Sequence, residues 1–117
     1  MNCRFYKIGA AATFIRRNGI VECLISTSLP VGVSYKLDME KSEKDLYNGD
    51  FLVMVSDGVL EYLHVPNPEE TMQEIIESIE TNNATILAKR ILERVLLFTG
   101  GKAADDMTVL ATAIWEK

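Results

Sequence analysis

The sequence predicts an α+β domain made of a β-hairpin, a buried central strand, two amphipathic helices and a closing strand. Three observations carry this reading. Two strand-rich runs meet at Asn18-Gly19, the stretch Phe51–Val55 is apolar at every position, and the segments after Asn67 and Asn83 repeat apolar residues at helical spacing. Strands come first, two helices follow, and one strand ends the chain, the grouping of an α+β fold.

Residues 10–17 and 20–27 are rich in Ile, Val, Phe, Thr and Leu, and the Asn18-Gly19 between them tolerates the positive φ angles of a type I′ hairpin turn. Leu29-Pro30-Val31-Gly32 predicts a break, since proline has no amide donor and glycine admits unusual backbone angles. The next strand is expected over residues 35–43, followed by a turn at Asn48-Gly49-Asp50. The unbroken apolar run Phe51–Val55 is the pattern of a strand covered on both faces, hence central in its sheet.

Asn67-Pro68-Glu69-Glu70 reads as a helix start, with Asn67 as cap, Pro68 at the first helical position and Glu70 three residues after the cap. Met72, Ile75, Ile76 and Ile79 form the apolar stripe of this helix. A second helix starts near Asn83, presents Leu87, Ile91, Val95 and Phe98 on one face, and stops at Gly100-Gly101. Both stripes are read as core faces, because a sheet in the same chain needs covering. Residues 107–115, with Thr108, Val109, Thr112 and Ile114, form the last strand.

A chain of 117 residues falls in the size range of one domain, and its prolines and glycines are scattered rather than gathered into a linker. Its net charge of −5 argues against a nucleic-acid partner, because no basic footprint exists to neutralise phosphates. Cys3 and Cys23 lack metal-ligand spacing and are expected to be reduced thiols of a cytosolic protein. No apolar stretch approaches the roughly 18 residues that cross a bilayer. Gly9-Ala10-Ala11-Ala12 is not preceded by the basic and apolar regions of a signal peptide. The segment is therefore expected in the cytoplasm, without membrane contact.

Chemistry is expected at two places. Ser56-Asp57-Gly58 ends the apolar strand, where a carboxylate can project from a rigid element while glycine lets the backbone turn. Alone, an Asp-Gly pair is an ordinary turn. Asp105-Asp106 stands immediately before the final strand, and if that strand pairs antiparallel with Phe51–Val55, Asp57 comes beside Asp105. Close carboxylates repel unless a cation intervenes, and hard oxygen ligands favour Mg²⁺ or Mn²⁺. From spacing alone, Asp105 and Asp106 are more readily read as solvated loop acids.

Val55-Ser56-Asp57-Gly58-Val59 resembles the Ser/Thr-Asp-Gly motif of the metal-dependent protein phosphatases, the PPM or type 2C family. Asp105-Asp106-Met107-Thr108-Val109 resembles that family's Asp-Asn/Asp-Met-Thr/Ser-Val motif, in the same order along the chain. Lys7-Ile8-Gly9-Ala10-Ala11, Phe14-Ile15, Ser28-Leu29-Pro30-Val31-Gly32 and Asn48-Gly49-Asp50 are similar to the bacterial branch typified by stage II sporulation protein E. The resemblance spans nearly the whole chain. It implies the C-terminal part of an αββα sandwich, two antiparallel sheets flanked by helices, with a binuclear Mn²⁺/Mg²⁺ site at one end.

By matching position, the resemblance makes Asp57 and Asp105 metal ligands, gives Asp106 a supporting role, and has Gly58 shape the turn. It implies hydrolysis of phosphoserine or phosphothreonine by a metal-activated water. In the sporulation branch the substrate would be the phosphorylated antagonist of an anti-sigma factor, in a parent protein anchored to the membrane upstream. The family's earlier acidic residue and Asp-Gly pair have no counterpart before Met1. Residues 1–117 alone are therefore expected to bind Mn²⁺ poorly and to have little activity. Uncovered sheet edges favour a homodimer. The rival readings are a non-catalytic dimerisation or regulatory module on this scaffold and a stress-response phosphatase of the same family. His64 is expected in a loop outside both motifs, Arg16 and Arg17 in a solvated turn, and Tyr62 and Leu63 in ordinary packing.

Overall fold

The computed structural model describes residues 2–7, 12–24, 40–98 and 107–115. Its elements in chain order are β1 (Asn2–Lys7), β2 (Ala12–Arg17), β3 (Ile20–Leu24), β4 (Glu40–Asp45), β5 (Phe51–Val55), α1 (Asp57–Tyr62), α2 (Pro68–Ser78), α3 (Ala84–Leu97) and β6 (Val109–Ala113). β1 and β4 pair antiparallel as one sheet, and the second sheet runs β3-β2-β5-β6, antiparallel throughout. The expected α+β class with two antiparallel sheets is thus what the chain forms. The expected break at Leu29–Gly32, the helix stop at Gly100-Gly101 and residues 35–39 of the expected third strand lie outside the described residues.

The hairpin is built as its sequence dictates. Asn18 and Gly19 both adopt positive φ, 51° and 77°, so the tight turn twists with its flanking strands. β5 is central, between β2 and β6, and its apolar run has a two-sided explanation. Phe51, Val53 and Val55 enter one core with Phe14, Val21, Met72, Ile76, Leu87, Ile91 and Val95. Leu52 and Met54 pack on the other face, against Ile15, Leu24, Leu46 and Ile114. α2 and α3 cover the first face through the predicted stripes, with Leu87, Ile91 and Val95 fully buried. Phe98 departs from its stripe: it is the C-cap of α3, past the last buried turn, and is 49% exposed.

The two helix starts differ. Asn83 caps α3 in the usual way, its Oδ1 accepting the Ile86 N–H at 3.0 Å. Asn67 precedes Pro68 as expected, yet its side chain makes no cap hydrogen bond. Its backbone, at φ −122° and ψ 76°, is not in the extended conformation that aims a capping oxygen at the first amides.

Arg16 and Arg17 are not solvated turn residues. Strand alternation sends Arg16 to the helix side, where it is 8% exposed. Its guanidinium lies over the Phe51 ring at 4.5 Å and donates from Nη1 to the Ile79 carbonyl at 2.7 Å and from Nη2 to the Thr81 carbonyl. The positive charge meets the carbonyl end of α2, where the helix dipole favours it. Arg17 points to the opposite face and grips Asp50 with Nε at 3.1 Å from both carboxylate oxygens and Nη2 at 2.7 Å from Oδ2.

Asp50 also accepts the Tyr47 N–H at 2.9 Å, closing the turn ahead of β5. That turn has Gly49 at φ 90°, a left-handed conformation that glycine adopts without strain. Burial alone would raise the Asp50 carboxyl. The hydrogen bonds from Arg17 and Tyr47 and the Arg17 charge outweigh it and hold the group below its ordinary value.

Two predictions follow from this framework. An added Cβ at Gly19 meets nothing within 4 Å, so Gly19→Ala isolates the cost of a left-handed backbone; it should lose about 1 kcal/mol, seen as a lower denaturation midpoint at unchanged m-value. Because the Asp50 carboxyl is lowered in the folded state, its contribution is complete above the unfolded value of about 3.9 and disappears as pH falls through the folded value. Asp50→Asn should therefore reduce stability at pH 7 and flatten the acid limb of a stability-versus-pH curve.

Candidate functional site

β5 and β6 pair in the antiparallel sense expected, with Phe51 opposite Ala113 and Val55 opposite Val109. The ladder continues one step past the strands. The Ser56 N–H donates to the Thr108 carbonyl at 3.0 Å, and the Thr108 N–H donates to Ser56 Oγ at 3.0 Å. The serine of the Ser-Asp-Gly motif therefore spends its hydroxyl across the sheet and makes no side-chain cap hydrogen bond to α1. The end of β5 and the start of β6 are fastened to each other at this point.

Asp57 is the first residue of α1, exposed, in the first turn where the helix dipole favours a carboxylate. It has no hydrogen-bond partner among the described residues, which leaves both of its oxygens available to a ligand. Asp105 and Asp106 lie outside the described residues, directly before Met107 in the chain. Gly58 does not make the turn assigned to it. It is the second residue of α1 and is absent from the left-handed region, and the change of direction comes from Ser56, extended at φ −73° and ψ 161°, meeting a helix.

The helix α1 went unforeseen, and it reorganises what surrounds Asp57. Val59, Leu60, Tyr62 and Leu63 are buried, in agreement with the packing expected for Tyr62 and Leu63. Asp57, Leu60, Glu61 and His64 stand at helical spacing and line one depression of about 360 Å³ with Val65, Pro68 and Glu69. His64 is exposed in the loop past the end of α1, outside both motifs as expected, and it lines the same depression as Asp57.

No ensemble of three or more His, Cys, Asp or Glu side chains among the described residues can hold a metal ion. Asp57 fits a Mn²⁺ or Mg²⁺ centre as one accessible hard-oxygen donor on a rigid strand end.

The family model for stage II sporulation protein E (SpoIIE) matches residues 1–114. The chain belongs to this family. It is 33% identical over 114 residues to stage II sporulation protein E of Bacillus subtilis (strain 168), covering 97% of this chain and 14% of that protein's length. Among solved structures it is similar to the PP2C phosphatase domain with a regulatory-domain fragment of SpoIIE from Bacillus subtilis. The TM-score is 0.89 at 33% identity, covering 97% of this chain and 34% of the other. A Mn-presoaked structure of the phosphatase domain of that SpoIIE matches at TM-score 0.83 and 31% identity, covering 97% of this chain and 50% of the other. The family's fold is the PP2C phosphatase fold, and this chain has a part of it. No helix among the described residues is long and apolar enough to cross a membrane.

The Ser56–Thr108 clamp yields a prediction. Ser56→Ala removes the acceptor for the Thr108 N–H and should lower stability by about 1 kcal/mol. Thr108 amide exchange should quicken, whereas Ser56→Thr, which keeps the hydroxyl, should restore most of the protection.

Proposed function

We propose that this chain is the later part of a metal-dependent protein serine/threonine phosphatase domain. In this reading Asp57 and Asp105 hold Mn²⁺ or Mg²⁺, and Asp106 supports them. The observation that supports it is the β5–β6 register, which fastens Ser56 to Thr108 and so holds the exposed Asp57 carboxylate at the end of β5 that lies beside the start of β6. Membership of the SpoIIE family and the Mn-presoaked relative support the same assignment.

Bound there, the metal ions would lower the pKa of a water and screen the phosphoryl charge during in-line displacement. The chain's own residues supply the frame. Ser56 fixes the spacing of two strand ends, β5 holds Asp57 on a buried element, and α1 keeps its carboxylate at a helix start. Such rigid support is what a ligand set needs to keep its geometry.

At the finer level, the substrate of this reading is a phosphoserine protein that antagonises an anti-sigma factor, whose dephosphorylation activates a sporulation sigma factor. The support is the family to which the chain belongs.

The test uses the whole phosphatase domain, with that phosphoprotein as substrate. Asp57→Asn should cut Mn²⁺-dependent phosphate release by about 10²- to 10³-fold, with the circular dichroism unchanged because Asp57 is exposed. Undiminished hydrolysis by Asp57→Asn would count against the metal role of Asp57, and absence of hydrolysis by the wild-type domain would favour a non-catalytic dimerisation module.

A further inference from the structure

We infer that Gln73 and Glu77 of α2 together close the β3 edge of the sheet against strand pairing with a second copy of the chain. Among the described residues β3 pairs with β2 on one side and with no strand on the other. The two-residue turn makes Arg17↔Ile20 a pair that exchanges hydrogen bonds, and alternation makes Arg16↔Val21 one that does not, so Val21 turns its N–H and carbonyl away from β2. Both groups meet α2. The Val21 N–H donates to Glu77 Oε1 at 3.2 Å, and Gln73 Nε2 donates to the Val21 carbonyl at 3.1 Å.

One residue of a neighbouring strand would offer the same complement, one acceptor and one donor. Gln73 and Glu77 supply it because a separation of four residues puts them on one face of the helix. β3 has no protection of its own. Its sequence, IVECL, contains no lysine and no proline, and its register with β2 runs from Thr13↔Leu24 to Arg17↔Ile20 without a bulge. Those are the devices that keep strand edges from pairing.

Ile20, 72% exposed, adds an apolar side chain beside the closed position. An uncovered β3 is therefore a template for the β3 of another copy. Antiparallel pairing with Val21 opposite Val21 sets Ile20 of each copy against Glu22 of the other, so the two Glu22 carboxylates do not face each other.

The test is self-association of the whole phosphatase domain by sedimentation, read together with exchange of the Val21 amide. Gln73→Ala combined with Glu77→Ala should tighten self-association by about tenfold or more. The Val21 amide should then exchange quickly in dilute solution and become protected as concentration rises. Glu77→Gln loses the charge but keeps an acceptor oxygen, and should match the wild type in both readings, which separates edge closure from a fall in net negative charge. Unchanged self-association in the double variant overturns the proposal. So does an increase in which the Val21 amide stays unprotected, because the copies then meet elsewhere. If the double variant fails to fold, Glu77→Ala alone decides: it frees the Val21 N–H and should show both changes to a smaller degree, and absence of both overturns the proposal.

Discussion

The antiparallel register between β5 and β6 is the constraint on which the rest depends. It is closed at both ends. Ser56 and Thr108 exchange bonds beyond one end, while at the other Gly49 donates to the Ile114 carbonyl and Ile114 to the Asp50 carbonyl. A slip of one residue would turn the β6 side chains to the wrong face and lose the packing of Val109, Ala111 and Ala113 on the helix-side core. The same slip would part the two strand ends beside Asp57. Packing of the core and placement of the candidate ligand are therefore one requirement.

The two ends of this sheet treat charge in opposite ways. At the hairpin end, Arg16, Arg17 and Asp50 are consumed by the fold: the arginines find carbonyls, a carboxylate and aromatic rings, and Asp50 accepts from Arg17 and the Tyr47 N–H. Leaving Arg16 or Asp50 buried without its partner would be costly, which makes that end rigid. At the other end, Asp57 and His64 remain exposed beside a depression. Polar groups not needed by the fold are the ones available to a metal or a substrate. Family membership and residue geometry meet at this second end, since the Ser-Asp-Gly motif sits where the sheet leaves its carboxylate unused.

Much of the framework was legible because it is written in local periodicity. Asn18-Gly19 announced its turn, Phe51–Val55 its two-sided burial, and the stripes from Met72 and Leu87 their helices, each within a window short enough to read directly. β1 carries no such signal, and β4 was foreseen only in part, within the strand expected over residues 35–43. Their sequences, NCRFYK and EKSEKD, lack a clean alternation, and they are strands because they pair with each other over the full Asn2↔Asp45 to Lys7↔Glu40 register. The helix α1 is six residues long with glycine second, too short for an apolar period to show.

By itself, then, the sequence determined the class of the fold, the central strand, both long helices and the motif residues around Asp57, since these depend on neighbours in the chain. Only the tertiary structure decided that Arg16 is buried while Arg17 reaches a carboxylate, that Ser56 bonds across to Thr108, and that His64 shares a depression with Asp57. A side chain's environment is set by whatever packs against it. For these residues the partners come from segments distant in the chain or from a helix whose existence rests on the core beneath it.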